Sequence, residues 1–199
     1  MAALFNAVIE RTARAFGVPA IASMQLVQDV YAAVSGWSPS KPGSDQGARI
    51  TDVLTYFARH GVDMGRGGPE AGLWAPIATA DHTELQQAIW LLGSATIGLL
   101  LPDSARVSGV WDVPPGGPTG SGAPGSWGAH CIILAGYDRG AGLYYGITWG
   151  GVQPITERFL AAYMDEAYAV FAPGELLGVD GMSPEQFDFS TLRAALDSL

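Results

Sequence analysis

The stretch GSWGAHCIILAGYD, Gly125 to Asp138, sets His130 beside Cys131, the chain's single cysteine, at the mouth of an apolar run that ends in Gly136, Tyr137 and Asp138. Apolar residues bounded by glycine-bearing turns predict a strand from His130 onward. Along a strand successive side chains point to opposite faces. His130, Ile132 and Leu134 therefore share one face, and Cys131, Ile133 and Ala135 the other. A neighbouring histidine and cysteine that invite reading as a catalytic pair should stand back to back, with Cys131 a small buried hydrophobe. Asp138, at the strand's end, reads as a turn former.

Three further segments after Ala95 carry the same texture: ATIGLLLP (95–102), GLYYGITWG (142–150) and EAYAVFA (166–172). Before them the periodicity is helical. Asn6 is a suitable N-cap for a helix over Ala7 to Phe16, stopped by Gly17 and Pro19. Ser23 to Ser35 reads as a second helix. Ile50, Val53, Leu54 and Phe57 repeat at helical spacing over Ile50 to His60, closed by Gly61. Residues 62–80 read as loop with one short strand, and Thr83 to Leu92 as a helix begun by the DHTE turn. Helices first and strands afterwards predict an α+β domain. Pro114 to Gly125, PPGGPTGSGAPG, has nine prolines and glycines in twelve residues and reads as a flexible loop. At the C-terminus, Ser190 caps a short helix with Leu192, Leu196 and Leu199 on one side.

Composition narrows the partners. The chain has 199 residues, 48% of them hydrophobic, enough to bury a core without metals or disulfides. A formal charge of −9 repels phosphate backbones and anionic lipid, so neither nucleic acid nor membrane is an expected partner. No basic-then-apolar leader precedes Asn6, and the apolar run from Ala88 to Leu101 is about 14 residues, shorter than a bilayer span. The expected compartment is cytoplasmic.

The order of these pieces resembles the papain-like cysteine peptidase fold, in particular the small papain-like proteins of phages and prophages. The likeness runs from about Phe5 to Phe171. It is carried by DQGARITDVLTYFARHGV (45–62), LQQAIWLLGSATIGLLLP (85–102), WGAHCIILAGYD (127–138), GITWG (146–150) and FLAAYMDEAYAVF (159–171). The NlpC/P60-like branch also puts a cysteine at a helix start and a histidine on a strand, but the GYD and TWG elements favour the papain-like form. The resemblance implies one domain over residues 1–172, with a helical half over about 1–92 and an antiparallel β half over about 95–172. Residues 173–199 would form an extension with a short helix.

The same likeness implies where catalytic groups would stand. The nucleophile's place, at the head of the first helix, falls on Ala7, whose methyl cannot attack a carbonyl. The upstream amide donor has no counterpart in Met1 to Phe5. The asparagine that orients the imidazole would fall on Ile147, two before Trp149, and isoleucine forms no hydrogen bond. His130 alone remains, and Ala7, His130, Ile147 and Trp149 mark a vestigial cleft flanked by Trp127. Ser126 and Ser23 are the available hydroxyl substitutes, neither with a visible base. His60 and His82 read as surface residues outside any metal-binding spacing, and Asp165 with Glu166 as solvated charge on a helix end. No metal or cofactor is expected.

The leading expectation is thus a catalytically inactive papain-like domain acting as a structural or binding protein. The likeness places it in a phage or prophage particle, head or tail associated, made in a bacterial cytoplasm. Its partners would be other virion proteins or copies of itself. The loop 114–125 and the C-terminal helix with Phe187, Phe189, Leu192 and Leu196 are the expected contacts. The alternatives are an active thiol hydrolase of peptide or isopeptide bonds using Cys131 and His130, and a peptide-binding module that does not cleave.

Overall fold

The helical half follows the periodicity closely in the structure, a computed structural model that describes residues 1, 4–5, 7–9, 22–63, 68–106 and 109–172. Helix α1, Met24–Ser35, begins at Ser23, whose hydroxyl accepts the Leu26 N–H at 3.1 Å, and ends at Gly36 in the left-handed region. Helix α2, Ile50–His60, buries Ile50, Val53, Leu54 and Phe57, the stripe read from the sequence. Leu4, Phe5, Val8 and Ile9 are helical and buried, and the Phe5 ring meets Phe57 edge-on at 6.0 Å. Asn6, residues 10–16, Gly17 and Pro19, and the C-terminal segment with Phe187, Phe189, Ser190, Leu192, Leu196 and Leu199 lie outside the described residues. Where one short strand was expected before residue 80 there are three among the described residues. Strand β1, Val62–Asp63, pairs antiparallel with β2, Pro69–Glu70, and β3, Leu73–Pro76, follows.

The chain divides into two compact units, Met1–Ala75 with Val170–Leu199, and Pro76–Ala169. Helix α3, His82–Leu92, capped by the Asp81 carboxylate on the Glu84 N–H, falls with the strands of the second unit.

That unit is built on β4 (Ala95–Leu101), β5 (Gly128–Asp138), β6 (Leu143–Thr148), β7 (Gly151–Thr156) and β8 (Met164–Phe171), with α4 (Glu157–Tyr163) between the last two strands. The sheet order is β8-β4-β5-β6-β7, and every one of these pairs is antiparallel. One sheet face, with Ile97, Leu99, Ile132, Leu134, Tyr144 and Ile155, packs into a single core with Leu85 and Ile89 of α3 and Phe159, Leu160 and Tyr163 of α4.

Strand β7 has no counterpart in the sequence reading. It contains Pro154, which argues against a central strand, but β7 is the sheet's far edge, where a missing N–H costs no ladder bond. Its outer side is covered by Trp111. The Trp111 N–H donates to the Pro154 carbonyl, and the Thr156 N–H donates back to the Trp111 carbonyl, each at 2.9 Å.

The Pro/Gly segment is a folded loop rather than the flexible one that composition suggests. Gly117 N–H bonds the Pro114 carbonyl at 2.8 Å, Gly122 N–H bonds Thr119 at 2.8 Å, and Gly120–Gly122 form a 3-10 turn. Gly122 is buried where a Cβ would lie 2.4 Å from the Gly117 oxygen, and its own carbonyl accepts the buried Tyr163 hydroxyl at 2.8 Å. Glycine is thus a packing requirement here, and α4 is tied to the loop through one buried bond.

Asp165 and Glu166 are also placed differently from expectation, on strand β8 rather than a helix end. Asp165 is the extra residue of a bulge, since Gly98 pairs with Glu166 and Leu99 with Met164.

Candidate active site

His130 is brought to its neighbours by sheet register. Leu99 stands across from it on β4, so the imidazole belongs to the face of Ile97, Leu99, Ile132 and Leu134, at the end of that core. The β6–β7 hairpin turns through Trp149 and Gly150, both at positive φ, 45° and 77°. These values fit a two-residue turn that matches the right-handed twist of its strands. A tryptophan at such a position is unfavourable, on the order of 1–3 kcal/mol for a non-glycine left-handed residue. The cost is met by stacking: the Trp149 ring lies on the His130 ring at 4.5 Å and 11° between planes, and on Trp127 at 5.2 Å and 27°. Arg106 sits over Trp127 at 4.7 Å, and Trp111 meets Trp149 edge-on at 6.1 Å. Trp149 is nonetheless 65% exposed, so the stack forms part of the surface.

The imidazole's polar partner is Thr148: His130 Nε2 and Thr148 Oγ1 share a hydrogen bond of 2.7 Å. Ile147 cannot take that place. It pairs with Ile133, which puts it on the opposite face, that of Cys131. Counting back from Trp149 selected Ile147, whereas strand alternation from His130 selects its neighbour. The signal available was the hydroxyl of Thr148 directly before the tryptophan.

Cys131 is half-buried on the other face, opposite Gly98. A Cβ on Gly98 would lie 2.5 Å from Glu166 Cγ, so the Glu166 side chain occupies the space glycine leaves. Burial, and then the Glu166 carboxylate, raise the Cys131 thiol above its ordinary 9.0. That is the reverse of what a nucleophilic thiol needs.

Burial acts oppositely on His130, lowering it from the ordinary 6.5 and favouring the neutral ring. A folded value below the unfolded one means that the unfolded chain binds more protons in the window below 6.5. Stability is then present above that value and is lost as pH falls through the folded value. Replacing His130 with Gln should flatten the change in urea midpoint between about pH 7 and pH 5. An unchanged slope would mean that His130 titrates alike in both states.

The remaining candidates have structural partners. Ser126 Oγ accepts the Asp103 N–H at 2.8 Å, and Ser23 caps α1, so neither hydroxyl is poised beside a base. Asp138 shapes a turn, its carboxylate accepting the Ala141 N–H at 3.0 Å. His60 is exposed as expected. His82 is not a plain surface residue: it opens α3 half-buried, with Nδ1 3.0 Å from the Tyr144 hydroxyl, which also accepts from Gln86 at 3.1 Å. Ala7 is a half-buried helical residue of the unit containing Met1–Ala75. Among the described residues no three His, Cys, Asp or Glu side chains are grouped to hold a metal ion, and no helix is long and apolar enough to cross a membrane.

The assembled site presents an oriented imidazole whose neutral form burial favours, but it presents no thiol on the same sheet face. No protein-family model matches the chain, and neither does any curated protein. Among solved structures it is similar to xylellain, a cysteine protease from Xylella fastidiosa, with a TM-score of 0.63 over 85% of this chain and 77% of that one. At 13% identity the likeness is one of fold. The helices, the antiparallel sheet and this likeness together show that the chain has the papain-like fold.

Proposed function

We propose that the chain is a papain-like domain without thiol-peptidase activity, serving as a binding or structural protein. One observation carries it: the single cysteine lies on the sheet face opposite the imidazole, with Glu166 beside it. Such a thiol has neither a base within reach nor a lowered pKa. Ala7, at the place the family resemblance gives to the nucleophile, adds no reactive atom.

The resemblance to phage and prophage proteins supports a place in a virion, in the head or tail, with other virion proteins or further copies of the chain as partners. The charge of −9 argues against nucleic acid and anionic membrane in that role. Mass spectrometry of purified particles from the encoding genome should detect the polypeptide in constant ratio to a major particle protein. Its absence from intact particles would remove the virion assignment.

A second reading, hydrolysis of peptide or isopeptide bonds, is favoured by the hydrogen bond of His130 with Thr148 beneath Trp149, since a general base needs a partner that orients it. It requires Cys131 to be reactive in the native protein. A third, a peptide-binding module that does not cleave, draws on the exposed Trp149.

A further inference from the structure

The unit Pro76–Ala169 holds a cleft apart from the His130–Thr148 pair, and what it is inferred to bind deepens the peptide-binding reading, since its rim reaches Trp149. A cleft of about 860 Å³ is lined by Ser104, Val110, Trp111, Val113, Pro114 and Arg158 among others. Its walls are mainly aliphatic and proline surface with a few polar groups, and the buried Trp111 lies behind them. Among these, Asp112 is fully engaged: its carboxylate accepts the Val113 N–H and the Thr156 hydroxyl, each at 2.8 Å, and the Arg158 guanidinium. Asp112 is therefore spoken for as a partner. Arg158 is not, since its side chain is 72% exposed and Asp112 is its one hydrogen-bonded partner among the described residues. A guanidinium has five N–H donors in a planar fork, and the spare edge of this one is held in place by the Asp112 contact.

Ser104 lines the same cleft. Its Oγ is buried and unpartnered among the described residues. A guanidinium fork beside an apolar wall selects a ligand with paired acceptor oxygens and an apolar body. The rim continues that wall through exposed Val110, at 50%, and through Trp149, at 65%, which meets Trp111 edge-on. This extended apolar rim suits a chain of residues better than a single small acid.

We infer that this cleft binds the carboxyl terminus of a peptide ending in an apolar residue. The carboxylate lies on Arg158, the last side chain lies against Val113, Pro114 and Pro115, and the preceding residues run over Val110 towards Trp149.

The test uses the full chain and three probes: a hexapeptide ending in leucine with a free carboxyl, the same peptide as its C-terminal amide, and N-acetyl-leucine. Binding is followed by calorimetry and by backbone amide shifts. The free acid should bind about tenfold or more tighter than the amide, the loss expected when a charge-assisted pair is removed. Shifts should fall on Ser104, Ala105, residues 110–117 and Arg158. Arg158→Gln should bring the acid down to the level of the amide, and Arg158→Lys, which keeps charge without the fork, should fall between. Ser104→Ala should weaken the acid less than Arg158→Gln. Equal binding of acid and amide, no effect of Arg158→Gln, or no binding of the acid at millimolar concentration would each overturn the proposal. N-acetyl-leucine binding as tightly as the hexapeptide would overturn its assignment to a peptide.

Discussion

Trp111→Ala should lower the unfolding free energy of the unit Pro76–Ala169 by about 3–5 kcal/mol, the range for truncating a core aromatic. Trp111 is 3% exposed, stacks on Phe159 at 5.5 Å, and donates its indole N–H to the Ala105 carbonyl at 3.0 Å. Truncation removes the ring's contacts, leaves a cavity between β7 and α4, and strands a buried acceptor. Against a typical total of about 5–15 kcal/mol this is a large share. Trp111→Phe keeps most of the packing but not the N–H donor, and should cost clearly less, about 1–2 kcal/mol. Urea unfolding with an unchanged slope and a lowered midpoint is the expected readout. A shift below about 1 kcal/mol for Trp111→Ala would mean that the indole is not a core element. The expected loss also bears on the site, because Trp111 is the edge-on support of Trp149, whose ring in turn covers His130.

The sequence disclosed those parts of this fold whose pattern is periodic. Ile50, Val53, Leu54 and Phe57 are all buried on one side of α2, and β5 keeps the two-face alternation that separates His130 from Cys131. What escaped reading depends on pairing between distant segments. Strand β7 is concealed by Pro154, which is harmless only because β7 lies at an edge. The loop 114–125 has a disordered composition, yet its glycines supply tight turns and the close approach of Gly122 to Gly117. In β8, the bulge at Asp165 comes from the register with Gly98, which no local property of MDEAYAVF announces.

The site was legible to the same extent. His130 and Trp149 could be picked out and are in contact, and Trp127 joins them. Thr148 was missed by one position, and in a strand one position reverses the face. Spacing from a landmark residue tolerates such an error, whereas cross-strand pairing does not. The carboxylate cleft draws on Ser104, the 110–117 segment and Arg158, which are scattered in sequence and share no motif. Only the pairing of Trp111 with β7 and the start of α4 brings them together.

The central claim, that this papain-like fold carries no working thiol, is tested most directly by the alkylation rate of Cys131 in the native protein at neutral pH. Burial and Glu166 raise the thiol, and the rate of alkylation follows the thiolate fraction together with access. The expected result is labelling by iodoacetamide at least about tenfold slower than in the urea-unfolded chain, and unaffected by His130→Ala, because the imidazole lies on the other face of β5. Native labelling as fast as or faster than that of the unfolded chain, and slowed by His130→Ala, would show that the two side chains act together and would contradict the claim.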